Sequence, residues 1–263
     1  MDRLFANGTV NAAQSGNGPA LFLFHSLLSD RASFDAIVPS LSRSFRVIVP
    51  ELPGFGGSSA VTGGLVAVAD RMAEVVSQVR GGAGDTIVLG NGYGGFVALQ
   101  MAIRHPGIAS RLVLADCGAA FSEAGREAFR NMAAISKTRG LQAITDVAMR
   151  RLFAPEFQAQ HPELMRDRRD AFLRTDPGVL QAACEALAEL DLRPQLDQVR
   201  IPVLVLVGEH EATPPPMSRE LAAGLPNARL KIIPGCAHVP QLQSPQLFLE
   251  TIGDFIPEWS PAS

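Results

Sequence analysis

The stretch IVLGNGYGGFVALQMA, Ile87 to Ala102, decides how the chain is read. An apolar run, a glycine cluster and a helix-compatible tail follow one another directly, the pattern of a strand, a tight turn and a helix. A turn this abrupt forces its apex into a strained backbone, and small residues two before and two after let strand and helix approach each other. Gly90 and Gly94 are those flanks, so Gly92 is the apex. Such a turn can present a reactive side chain, and here the apex carries none.

Similar apolar runs recur along the chain: ALFLF (Ala20 to Phe24), FRVIV (Phe45 to Val49), TIVLG (Thr86 to Gly90), RLVLA (Arg111 to Ala115), PVLVLV (Pro202 to Val207) and RLKII (Arg229 to Ile233). Continuous Val, Ile and Leu runs predict strands buried on both faces, hence an α/β fold with a mostly parallel sheet and helices on either side. The spacing breaks between Cys117 and Val199, where about eighty residues contain no convincing strand. Amphipathic helices such as GREAFRNMAAISKTRG, interrupted at FAPEF, HPEL and TDPG, fill the gap. The expected organisation is a core of residues 1–118 and 198–263 with a helical cap, 119–197, over the strand ends. TPPP at Thr213 to Pro216 reads as a loop and a helix start.

With 23 basic and 26 acidic residues the net charge is −3, which supplies no field for steering towards nucleic acid or anionic lipid. Neither is expected as a partner. The densest cationic cluster, RDRR at Arg166 to Arg169, contains an acid and reads as a solvated helix face. Cys117, Cys184 and Cys236 lie far apart without metal-ligand spacing and read as small buried hydrophobes. No His, Asp and Glu cluster has ligand spacing either, so no metal is expected. MDRLFANGTV is unlike a signal peptide, and no apolar run approaches the roughly 18 residues of a membrane span. These features predict a cytoplasmic monomer or homodimer.

A reactive group on a strand-to-helix turn needs a base, and PGCAHVP places His238 in a short loop after the last strand-like run. An acid belongs behind the preceding strand, where VLVGEHEATPP offers Glu209 and Glu211. The order turn, acid, His at three strand ends points to a single site. Asp116, closing RLVLAD, is a second candidate acid.

On these residues the chain resembles the α/β-hydrolase family across essentially its full length. FLFHSLLSD resembles the family's His-Gly oxyanion loop, PELPGFGGSS its Asp-x-x-Gly-x-Gly-x-Ser segment, GNGYGG its nucleophile elbow, and the helical insertion its cap. GN-x-x-GG is similar to the elbow of meta-cleavage-product hydrolases, and His-Ser-Leu to the oxyanion loop of 3-oxoadipate enol-lactonases. The resemblance implies hydrolysis of a small-molecule ester, lactone or C–C bond next to a carbonyl, with no metal or organic cofactor. It implies His238 as general base, Glu211 as orienting acid with Asp116 as the alternative, and the N–H groups of Leu27 and Tyr93 as oxyanion donors. Three departures stand out: Gly92 occupies the nucleophile position held by Ser in most members, Glu211 stands where Asp is usual, and Ser26 replaces the oxyanion-loop Gly.

Gly92 cannot form an acyl-enzyme, and three readings stand open. His238 activates water or abstracts a substrate proton without a covalent step, as a hydrolase or lyase. Alternatively Gly92 is an introduced or incidental replacement of Ser in an esterase or lactonase. The third is a non-catalytic homologue that binds a small ligand under the cap. Candidate substrate contacts are Ser26 on the oxyanion loop and Phe129 and Phe153 on the cap, with Arg150 or Arg151 as partners for a substrate carboxylate.

Overall fold

The computed structural model describes residues 1–80, 85–211 and 215–256. Eight strands form one sheet: β1 (Asp2–Phe5), β2 (Val10–Ser15), β3 (Ala20–Phe24), β4 (Arg46–Pro50), β5 (Thr86–Asn91), β6 (Arg111–Ala115), β7 (Val203–Gly208) and β8 (Ala228–Ile233). Their spatial order is β1-β2-β4-β3-β5-β6-β7-β8. From β4 to β8 all neighbours run parallel, whereas β1 pairs with β2, and β2 with β4, antiparallel. The six apolar runs of the sequence are the six parallel strands, each within a residue or so of its expected bounds.

The helices are α1 (Val38–Leu41), α2 (Gly64–Val79), α3 (Tyr93–Arg104), α4 (Glu123–Arg139), α5 (Thr145–Leu152), α6 (Pro155–Gln160), α7 (Pro162–Leu173), α8 (Pro177–Ala188), α9 (Pro215–Gly224), α10 (Pro240–Gln243) and α11 (Pro245–Gly253). Thr213 and Pro214 of the TPPP run lie outside the described residues, and α9 begins at Pro215. No described helix is long and apolar enough to cross a membrane.

The period of two along each strand splits the core into two layers. Phe22 and Phe24 of β3, Val88 of β5 and Val203 and Val205 of β7 face the layer that holds α2, α3 and the helices between β6 and β7. Leu21 and Leu23, Ile87 and Leu89, and Leu204 and Leu206 face the opposite layer, with Phe34, Leu41 and the α11 residues Phe248 and Ile252. Both faces are therefore covered, which is why these strands read as unbroken apolar runs.

Between β6 and β7 the chain runs through α4 to α8, and its one strand-like pairing among the described residues is an isolated bridge between Ala120 and Asp191. That bridge draws the two ends of the insertion together at its neck. The Arg126 guanidinium fastens it further by donating to the carbonyl oxygens of Phe121, Ala188 and Leu190. RDRR lies on α7, where Arg166 pairs with Glu163 and Arg169 with Asp146, as a solvated face would. Arg168 departs from that expectation: its side chain is 12% exposed and reaches 2.7 Å to Asp30, in the loop after β3.

Candidate active site

The carboxyl ends of five adjacent strands converge on one point. β3 leads into Ser26 and Leu27, β5 into Gly92, β6 into Asp116, β7 into Glu211 and β8 into His238, and all of these line one cavity. The insertion roofs it with Phe121, Phe129, Arg151 and Leu187.

Gly92 is the N-terminal cap of α3, with φ 52° and ψ −116°, a conformation that side chains other than hydrogen rarely adopt. Its flanks are required to be small for steric reasons. A Cβ on Gly94 would collide with the Phe24 carbonyl, and one on Gly90 with the Gly94 backbone. Tyr93 opens α3, so its N–H is among the first four of the helix and has no intrahelical acceptor. The Leu27 N–H likewise donates to no acceptor among the described residues.

The space beside the apex is occupied. A Cβ built on Gly92 would lie 2.5 Å from Ser26 Oγ and 2.5 Å from His238 Nε2. Two side chains from other strand ends have closed in on the space the apex leaves. Ser26 Oγ lies 3.0 Å from His238 Nε2, and His238 Nδ1 lies 2.8 Å from Glu211 Oε2. With Nδ1–H donated to the carboxylate, Nε2 is left as the acceptor of the Ser26 hydroxyl. The Glu211 side chain is 1% exposed and that of His238 15%, so the pair is shielded from water while the imidazole edge faces the cavity.

Glu209 and Glu211 take different tasks. Glu209 accepts from the Gly235 N–H and so braces the loop before His238, whereas Glu211 meets the imidazole. Asp116 makes no hydrogen bond to His238; its Oδ1 accepts from the Gly208 N–H at 2.8 Å. Complete burial, and then the charge of nearby Glu211, hold the Asp116 carboxyl well above the usual carboxylate range. Asp116 thus lies behind Glu211 with its carboxyl biased towards the protonated form. Burial also pushes the Tyr93 phenol and the Cys117 thiol upward, so neither supplies an anion at neutral pH.

Two positioning residues were not singled out in the sequence. His25 is fully buried, and burial lowers its pKa. As a neutral ring it donates from Nδ1 to the Ser26 carbonyl at 3.0 Å and accepts at Nε2 from the Leu52 N–H at 3.1 Å. Its own carbonyl accepts from the Gly94 N–H, which ties the Ser26 loop to α3. Asn91, the last residue of β5, donates to the His238 carbonyl at 2.8 Å and accepts from Gln241 at 3.1 Å. The apex thereby carries the histidine loop beside it. A buried His and a polar strand end were the available signals, but their partners lie 27 and 147 residues away in the chain.

Of the expected substrate contacts, Ser26 and Phe129 line the cavity and Phe153 does not. Phe153 is fully buried and stacks on Phe157 with ring centroids 5.5 Å apart, inside the insertion's own core. An apolar position on a helix must be buried, but the helical period does not say against what. Arg151 lines the cavity, with its guanidinium carbon 5.7 Å from the centroid of Phe129, whereas Arg150 lies outside it.

The chain is similar to known proteins along most of its length. The model of the alpha/beta hydrolase family matches residues 18–251. A pimeloyl-[acyl-carrier protein] methyl ester esterase of Aromatoleum aromaticum is 32% identical over 252 residues, covering 88% of this chain and 95% of that protein. A 3-oxoadipate enol-lactonase of Acinetobacter baylyi is 25% identical over 240 residues, covering 88% and 85%. The crystal structure of the enol-lactonase from Burkholderia xenovorans superposes with a TM-score of 0.90 at 25% identity, covering 98% of this chain and 100% of that one.

Proposed function

The chain belongs to the alpha/beta hydrolase family, and on that premise we propose that it hydrolyses a small ester or lactone with His238 as the general base. The observation that carries this reading is the buried Glu211–His238 pair whose second ring nitrogen faces the cavity. Relatives named as a methyl ester esterase and an enol-lactonase support the substrate class.

The chemistry follows from the placement. His238 Nε2 takes the proton of an attacking hydroxyl, and Glu211 stabilises the imidazolium that results. Negative charge gathering on the carbonyl oxygen is met by the N–H groups of Leu27 and Tyr93, fixed in advance and shielded from bulk water. His238 then returns the proton to the leaving oxygen. Phe121, Phe129 and Leu187 offer an apolar berth for the acyl chain, and Arg151 offers a cation to a carboxylate on the same substrate. No metal or organic cofactor has a part in these steps.

The test is turnover of p-nitrophenyl acetate and of a small lactone by the unaltered chain and by His238→Ala. The reading predicts hydrolysis that falls by about a hundredfold or more in the variant at unchanged melting temperature. Equal rates in the two proteins would overturn it and favour a ligand-binding role for the cavity.

A further inference from the structure

The family frame places the attacking hydroxyl on the turn after β5, and that turn ends in a residue with no side chain. We propose that the hydroxyl has moved to the neighbouring loop and that Ser26 is the nucleophile of this site. The proposal rests on the reading of the chain as an ester or lactone hydrolase with His238 as base.

Three features of the geometry carry it. First, Ser26 Oγ occupies the space of the missing side chain, 2.5 Å from where a Cβ on Gly92 would stand. Second, it is hydrogen-bonded to the atom a nucleophile must be bonded to, His238 Nε2, at 3.0 Å, with Glu211 aligned behind the ring. Third, the loop is held and not free to swing. The Ser26 carbonyl accepts from His25 Nδ1 and from the Ser29 N–H, while the His25 carbonyl accepts from Gly94. Ser26 is 1% exposed, so this hydroxyl is a buried group pointed at a base, lining the cavity.

The oxyanion donors survive the exchange. In the usual arrangement one N–H belongs to the residue after the nucleophile and the other to the facing loop. Here Leu27 follows Ser26 and Tyr93 follows Gly92, so the same two N–H groups serve with their parts reversed. The step balances without a co-reactant other than water. Ser26 Oγ bonds to the carbonyl carbon, its proton passes to His238 Nε2, and the carbonyl π pair moves onto oxygen. Collapse of that oxyanion breaks the bond to the leaving oxygen, which takes the proton from His238 and leaves an ester on Ser26. Water, deprotonated by the same imidazole, releases the acid and restores the serine.

The experiment treats the unaltered chain with a fluorophosphonate, locates the adduct by peptide mass spectrometry, and measures p-nitrophenyl acetate turnover for the unaltered chain, Ser26→Ala and His238→Ala. The expected result is an adduct on Ser26, a burst of p-nitrophenol, and a fall in kcat/KM of about a thousandfold or more in Ser26→Ala at unchanged melting temperature. Turnover that needs His238 but survives Ser26→Ala within about tenfold overturns the proposal and leaves the hydrolase reading standing, with water as the attacking group. Absence of both turnover and adduct overturns the two together. Should Ser26→Ala unfold, the position of the adduct on the unaltered chain decides alone: Ser26 supports the proposal, and any other residue or none overturns it.

Discussion

The floor and the roof of the cavity are held by different forces. On the floor, Ser26, His238 and Glu211 stand beyond strand ends and are fixed by short hydrogen bonds within the protein, two of them to backbone carbonyls. On the roof, the helices carrying Phe129 and Arg151 are secured to their neighbours partly by ion pairs such as Arg130–Glu189 and Arg169–Asp146, whose side chains are 38% to 76% exposed. Pairs of that kind contribute about 0 to 1 kcal/mol each and weaken in salt, whereas a buried polar group left without its partner costs about 1 to 3 kcal/mol. Arg168–Asp30 spans the two regions, joining α7 to the loop after β3. Precision is concentrated on the floor: the atoms that would do chemistry are over-determined, and the surfaces that would choose a substrate are not.

Substitutions on the floor and on the roof should therefore act differently. The largest effect belongs to the floor. Glu211→Gln keeps a group that accepts from Nδ1 but removes the charge that stabilises the imidazolium, so kcat is expected to fall by about 10² to 10⁴ with KM little altered. Steady-state kinetics on p-nitrophenyl acetate check this, and a change confined to KM would place Glu211 outside the chemical step. On the roof the pattern reverses. Arg151→Met is expected to raise KM about tenfold for an ester that bears a carboxylate, with kcat and the KM of a neutral ester unchanged. Equal effects on both esters would deny Arg151 its part in selection.

The smallest effect concerns stability and pH. Burial and then the charge of Glu211 raise the pKa of Asp116 in the folded chain, while the unfolded chain ionises it above the ordinary value of 3.8. A raised folded-state pKa contributes stability that is present at acid pH and is lost as pH rises towards that value. Asp116→Asn removes this dependence, keeps an oxygen for the Gly208 N–H, and suits the positive φ of 52° at this position. The melting temperature of the variant should therefore gain on that of the unaltered chain as pH rises from about 4. A constant difference over that rise would mean that Asp116 ionises normally.

The central parallel strands were legible because a strand covered on both faces is apolar along most of its length, as Thr86–Asn91 and Val203–Gly208 are. The antiparallel edge escaped notice for the converse reason. β1 is exposed along most of its length, and β2 mixes Val10 and Ala12 with Asn11, Gln14 and Ser15. The order of Gly92, Glu211 and His238 could be read because topology alone brings those strand ends together. Between the two acids, only geometry decides which one reaches the imidazole. Ser26 was recognisable as a loop residue near the site, but the direction of its side chain depends on His25, Leu52 and Gly94 acting through the folded backbone.

The central claim is that the floor needs one hydroxyl within reach of His238 Nε2, whichever strand end carries it. The most direct measurement is ester turnover by Ser26→Gly alone and by Ser26→Gly with Gly92→Ser. The account predicts that the first change abolishes turnover and that the second restores it, because removing the Ser26 side chain clears one of the two contacts that a Cβ on residue 92 would meet and lets the imidazole draw back from the other. Turnover retained by Ser26→Gly, or a folded double variant as inactive as the single one, would contradict it.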